Sequence, residues 1–141
     1  MKDRINLGKA VKFLLIAVGL FIIGIAVFAF FKVRSNAKNA LREAKNVYLA
    51  LYTTDIEYYA QGKSIYDHSK ADGMADGVKE VVDTLADADG KYIITSYNAR
   101  KREVTGMQYR KGHYLVTFTK KDGHEIWTVD YSMRLYRMTD E

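Results

Sequence analysis

The side chains best suited to proton transfer or metal binding near neutral pH are three histidines, His68, His113 and His124. Zinc needs several nitrogen, sulfur or carboxylate ligands gathered at one point, and this spacing matches no ligand motif. The chain has no cysteine, so thiolate sites and disulfides are excluded. The segment 72–83 places Asp72, Asp76, Gly77, Glu80 and Asp83 at positions one, five, six, nine and twelve of a calcium loop. Position three is Met74, which cannot ligate a hard cation, and position twelve is not glutamate. An acidic helix start accounts for the same residues more simply, because carboxylates are favourable there. No glycine-rich phosphate loop and no GxSxG elbow is present. The expectation is a non-enzymatic chain with no cofactor and no metal.

What remains is binding chemistry, and its candidates depend on which elements carry them. Residues 91–97, 103–109, 113–119 and 124–131 read as four strands. The turns between them are NARKR, RKG and KKDG, short enough to force antiparallel neighbours. In such a meander the first and third turns share one end of the sheet. Arg100, Lys101, Arg102, Lys120 and Lys121 would then cluster into a basic patch able to meet phosphate or an acidic protein face. Solvated turns that keep sheet edges soluble are the simpler explanation. Tyr92, Tyr97, Tyr109 and Tyr114 read as cross-strand pairs rather than base-stacking platforms, so no nucleic-acid partner is firmly implied.

Ahead of the strands lies the longest element. Residues 13–31, FLLIAVGLFIIGIAVFAFF, carry no charge. At about 1.5 Å per residue this run nearly matches a hydrocarbon core of ~30 Å. A single-pass anchor is the leading reading. A cleaved signal peptide competes, through the small-residue spacing around Val27-Phe28-Ala29. A buried soluble helix would need a wider core than this chain can build. The head, residues 1–12, holds Lys2, Arg4, Lys9 and Lys12. Lys32, Arg34, Lys38, Arg42 and Lys45 follow the run, so positive charge barely discriminates orientation. A short basic head before an apolar run is signal-like, which places the N-terminus inside and the C-terminal domain outside the cell membrane.

The chain has no proline, and between Gly24 and Gly62 no glycine. One helix from about residue 11 to 61 is therefore expected. Residues 32–61 continue it as an amphipathic segment. Ala37, Ala40, Ala44, Val47, Leu51, Thr54 and Tyr58 recur at spacings of three and four, widened by Leu41 and Tyr48. A second apolar set, Leu49, Tyr52, Ile56 and Tyr59, lies around the other side. Either a neighbouring subunit or the chain's own loops would cover it. The first stripe also satisfies a heptad, though its alanines make a weak coiled-coil seam.

Residues 62–77 read as a loop pinned by Ile65 and Tyr66. A short helix follows over 74–86, with Asp72 as N-cap and Met74, Val78, Val81, Val82 and Leu85 on its apolar side. Residues 132–141 form a tail or a short edge strand. Past the anchor, about 110 residues suffice for one small domain, residues 62–141 together with 35–61. The formal charge is +5, unevenly spread. Segment 63–89 is acidic and segment 91–121 basic, which favours self-docking as readily as an outside partner.

This order of elements resembles type IV pilins and pseudopilins. NAKNALREAKNVYLALYTTDIEYYAQGKSIYD, GMADGVKEVVD and EVTGMQYRKGHYLVTFTKKDGHEIWTVDY look like the soluble part of pilin-like proteins of Gram-positive bacteria. The resemblance implies an α+β fold, a long transmembrane-to-amphipathic helix on a four-stranded antiparallel meander. It implies a membrane-anchored structural subunit of a surface or secretion-type assembly, with the bilayer and other pilin-like subunits as partners. Leu49, Tyr52, Ile56 and Tyr59 would form the assembly face. The prepilin cleavage motif is absent: Gly8 is followed by Lys9-Ala10-Val11-Lys12, and the apolar run has no glutamate. Peptidase processing is therefore not carried over. The alternative is a monomeric single-pass envelope protein whose basic sheet end binds an anionic ligand or a protein partner.

Overall fold

The computed structural model describes residues 2–132 and 137–140. Helix α1 (Lys2–Ala60) is a single α-helix. It starts well before residue 11 and takes in the basic head, where lysine, arginine, alanine and leucine are good helix formers. It ends in a Schellman turn. Gly62, at φ +71°, donates its N–H to Tyr59 O at 2.9 Å, and Lys63 N–H reaches Tyr58 O at 2.8 Å. By compactness the chain divides into two units, Met1–Ser35 and Asn36–Glu141.

The first unit contains the apolar run. Its most apolar window has a mean hydropathy of 3.0 with none of it buried, so the helix is long and apolar enough to cross a membrane.

The second unit is α+β. Strands β1 (Lys91–Asn98), β2 (Glu103–Lys111), β3 (Tyr114–Lys121), β4 (His124–Tyr131) and β5 (Arg137–Asp140) form one antiparallel sheet in that spatial order. The sheet therefore has five strands, not four. Sequence places residues 132–141 as a tail or edge strand. Within that stretch Arg137–Asp140 pairs with β4, through Val129↔Met138 and Thr128↔Thr139. Residues 133–136 and 141 lie outside the described residues.

One face of the sheet is covered. Register aligns Tyr92 with Tyr109, Val116 and Val129, and Ile94 with Met107, Phe118 and Trp127. All eight are buried. A bulge near Ser96 shifts the β1–β2 alternation, so that Val104 and Met107 are both buried. Against this face lies the predicted stripe of α1. Ala37, Ala40, Ala44, Val47, Leu51 and Thr54 are all buried. Each buried valine or leucine contributes about 1.5–3 kcal/mol. Tyr48 packs its ring against Phe118 and Trp127, at centroid distances of 4.6 and 5.8 Å.

The connection after α1 keeps Ile65 buried, as the sequence implies. Helix α2 (Val78–Ala86) is shorter than its hydrophobic pattern suggests, and Asp72 does not cap it. The carbonyl of Asp72 accepts the N–H of Ile94 at 2.9 Å, and Met74 bridges to Tyr66. Residues 72–74 are thus tied to β1 and Tyr66 and cannot start a helix; Gly77, at φ +81°, precedes the first turn instead. The buried seam of α2 is Val78, Val82 and Ala86, which leaves Leu85 exposed at its rim.

Gly90 enters β1 where no side chain fits. A Cβ there would lie 2.4 Å from Tyr109 Cζ. The Gly90 N–H donates to Tyr109 Oη at 2.9 Å, and that hydroxyl donates to Glu43 on α1, which Lys111 also binds. Burial opposes ionisation of Glu43, but the hydrogen bonds from Lys111 and Tyr109 outweigh it and hold the carboxyl below its usual range. A depressed folded pKa means stability that is complete above the unfolded value and is lost as pH falls through the folded one. Thermal unfolding from pH 7 to 3 should show Tm dropping from about pH 5 downward. Glu43→Gln should flatten that acid limb and lower Tm at neutral pH.

Candidate functional site

Two surfaces carry the predicted binding residues. The first is the outer side of α1. Leu49, Tyr52, Ile56 and Tyr59 are 62, 53, 55 and 63% exposed, so no described loop folds over them. These residues are polar only at their phenol tips, and they follow one another at three- and four-residue spacing along one helical face. The Arg102 guanidinium lies over the Tyr59 ring at 4.6 Å, which joins the end of this stripe to the second surface.

The second surface is the sheet end formed by the β1–β2 and β3–β4 turns. Both turns do lie at one end, but the five cations do not act together. Arg102 Nη2 donates to Asp55 Oδ1 at 2.9 Å and to the Lys63 carbonyl at 3.1 Å. Lys120 Nζ donates to Glu103 at 2.9 Å and lies 4.0 Å from Glu125. That leaves Arg100, Lys101 and Lys121 exposed. The Arg100 and Lys101 backbone N–H groups both bind Asn98 Oδ1 at 3.1 Å, which shapes the turn and turns no side chain inward.

Asp55 is the residue that sequence reasoning missed. It is 5% exposed, beside Thr54 at the rim of the buried stripe. Arg102 neutralises it, and Tyr97 Oη donates to both its oxygens at 3.0 and 2.9 Å. Burial, together with the Asp55 carboxylate, pushes the Tyr97 phenol up to about 12. A carboxylate four residues past Leu51 on an otherwise apolar stripe was the available signal: it demanded a partner.

The metal-binding candidates are dispersed. Asp72 Oδ1 accepts the Met74 N–H at 3.0 Å, Asp76 pairs with Lys70, and Asp83 accepts Tyr92 Oη at 2.6 Å. Glu80 lies exposed on α2, His68 sits in the loop, and His113 and His124 fall at opposite ends of β3. No group of three or more metal-ligating side chains forms among the described residues.

No family model, curated protein or solved structure matches the chain. Function is therefore argued from these two surfaces.

They differ in a measurable way. Arg102→Ala strands Asp55 in the core and should cost about 1–3 kcal/mol in thermal or chaotrope unfolding. Arg100→Ala should stay within roughly 0.5 kcal/mol of wild type.

Proposed function

We propose that the chain is a membrane-anchored, non-catalytic, pilin-like subunit that self-associates through the outer side of α1. The observation that carries this reading is the exposed stripe Leu49, Tyr52, Ile56 and Tyr59 on the helix that also holds the apolar run. Single scattered apolar residues need no explanation, but an aligned row at helical spacing marks an interaction surface. The covered face of α1 accounts for domain folding without this row.

The monomeric ligand-binding alternative rests on the basic sheet end. Two of its five cations are already neutralised by Asp55 and Glu103, which weakens it as an anion site.

After mild detergent extraction from membranes, the chain should run as an oligomer. Leu49→Glu combined with Ile56→Glu should convert it to a monomer while leaving the domain's Tm nearly unchanged, because both positions are exposed. A wild-type chain that is strictly monomeric in membranes and in detergent would defeat the reading.

The apolar run acts in this reading as the single span, with the N-terminus inside and the domain outside. Protease added to intact cells should then digest the domain and spare an N-terminal epitope. Protection of the domain until the cells are lysed would reverse the orientation.

A further inference from the structure

The outer side of α1 is not uniformly apolar. Extending its row toward the start of the domain gives Lys38, Arg42 and Lys45, then Leu49, Tyr52, Ile56 and Tyr59, at regular spacings of four and three. The row is basic over its first half and apolar over its second. Lys38 and Arg42 are exposed and hold no ion pair among the described residues; Lys45 pairs with Asp140. Two copies anchored alike and packed α1 on α1 would set these cations against their own copies, which is repulsive.

Helix α2 offers the complement at matching height. Lys111 binds Glu43 of α1 and also approaches Asp89 at 3.9 Å, so Asp89 stands level with residue 43. At the other end, Tyr58 Oη reaches the Asp76 carbonyl at 3.3 Å. Helix α2 therefore runs antiparallel beside the second half of α1. Both helices lie on one sheet face, since neighbouring Tyr92 and Tyr109 bond Asp83 of α2 and Glu43 of α1. Glu80 on α2 and Asp87 and Asp89 in the turn after it are exposed, and Leu85, at the rim of the buried seam, is 51% exposed. Asp87 and Asp89 stand near the level of Arg42 and Lys45. Leu85 lies between the two tie points, nearer the Asp89 end, which brings it close to the level of residues 47–49.

We infer that two copies of this chain dock side by side with α1 parallel, the α1 outer row of one lying on α2 of the next. The row lies on the β4–β5 flank of α1, where Lys45 meets Asp140, and α2 on the opposite flank, so each copy offers both surfaces. Copies anchored at one height then bring acidic residues to basic ones and Leu85 towards Leu49, in a head-to-tail contact that can repeat. The inference rests on the self-association reading above and assigns the partner surface that reading leaves open.

The chain has no cysteine, so introduced thiols report contacts cleanly. Full-length Leu49→Cys and Leu85→Cys chains are co-expressed and oxidised in membranes. The mixture should give a cross-linked dimer, and Leu49→Cys alone should not. Adding Lys38→Glu and Arg42→Glu to the Leu49→Cys chain should cut the mixed cross-link about tenfold. Adding Asp87→Lys and Asp89→Lys to the Leu85→Cys chain should restore it. Cross-linking of Leu49→Cys chains to one another, with no species joining Leu49→Cys to Leu85→Cys in the mixture, overturns this pairing in favour of α1 on α1. An absent cross-link while the wild-type chain still extracts as an oligomer overturns the pairing and leaves self-association standing. An absent cross-link with a monomeric wild-type chain overturns both.

Discussion

Two carboxylates on one helix must be buried against one sheet, and the second unit is arranged to satisfy them. Asp55 and Glu43 both stand at the margins of the apolar stripe of α1, where the sheet shuts out most water. Each receives the same pair of partners, a phenol and a cation: Tyr97 with Arg102, and Tyr109 with Lys111. An unpaired buried carboxylate would cost several kcal/mol, which is comparable to the whole stability of a small domain. The pairs thus act less as added stability than as a condition on register. If α1 slid by one turn, both carboxylates would lose both partners.

The alanines of the stripe make this possible. Ala37, Ala40 and Ala44 are small enough to let the backbone of α1 approach the sheet, and Val47, Leu51 and Tyr48 fill the wider part beyond. The same closeness leaves no space at Gly90, where the chain passes under the Tyr109 ring on its way into β1. Tight packing on one side of α1 and exposure on the other are two consequences of a helix wider in apolar surface than one sheet can cover.

Much of this was legible beforehand, and the gaps have a common cause. The three- and four-residue spacing from Ala37 to Thr54 predicted the covered stripe, and the short turns between residues 91 and 131 predicted four antiparallel neighbours. Periodicity reads local chain geometry. It failed wherever a distant contact decides. The start of α2 was misplaced because Ile94 claims the Asp72 carbonyl. Strand β5, RMTD, lacks a strong β pattern and is defined by its pairing with β4. The basic patch was overcounted because the partner of Arg102 lies 47 residues away on α1. The outer stripe was readable as a pattern, but its exposure was not, since that depended on where residues 62–77 would run.

For the anchored subunit proposed above, a small outer stripe suffices for assembly. Four partly exposed apolar residues and a few rim charges would be a poor interface between freely diffusing proteins, because association must first overcome the loss of translational and rotational freedom. Anchoring removes much of that cost before contact. In the reading proposed above, copies share one height and one axis, and tethering of this kind raises the effective concentration towards the mM range. At that concentration a contact with a Kd of about 1 mM, roughly 4 kcal/mol, is half occupied. Charge then decides which faces meet more than how tightly they hold. Lys38 and Arg42 disfavour like-on-like packing of α1, and in the pairing inferred above they face the acidic turn after α2 instead. A weak apolar row beside a basic one therefore suits an anchored subunit better than a soluble one.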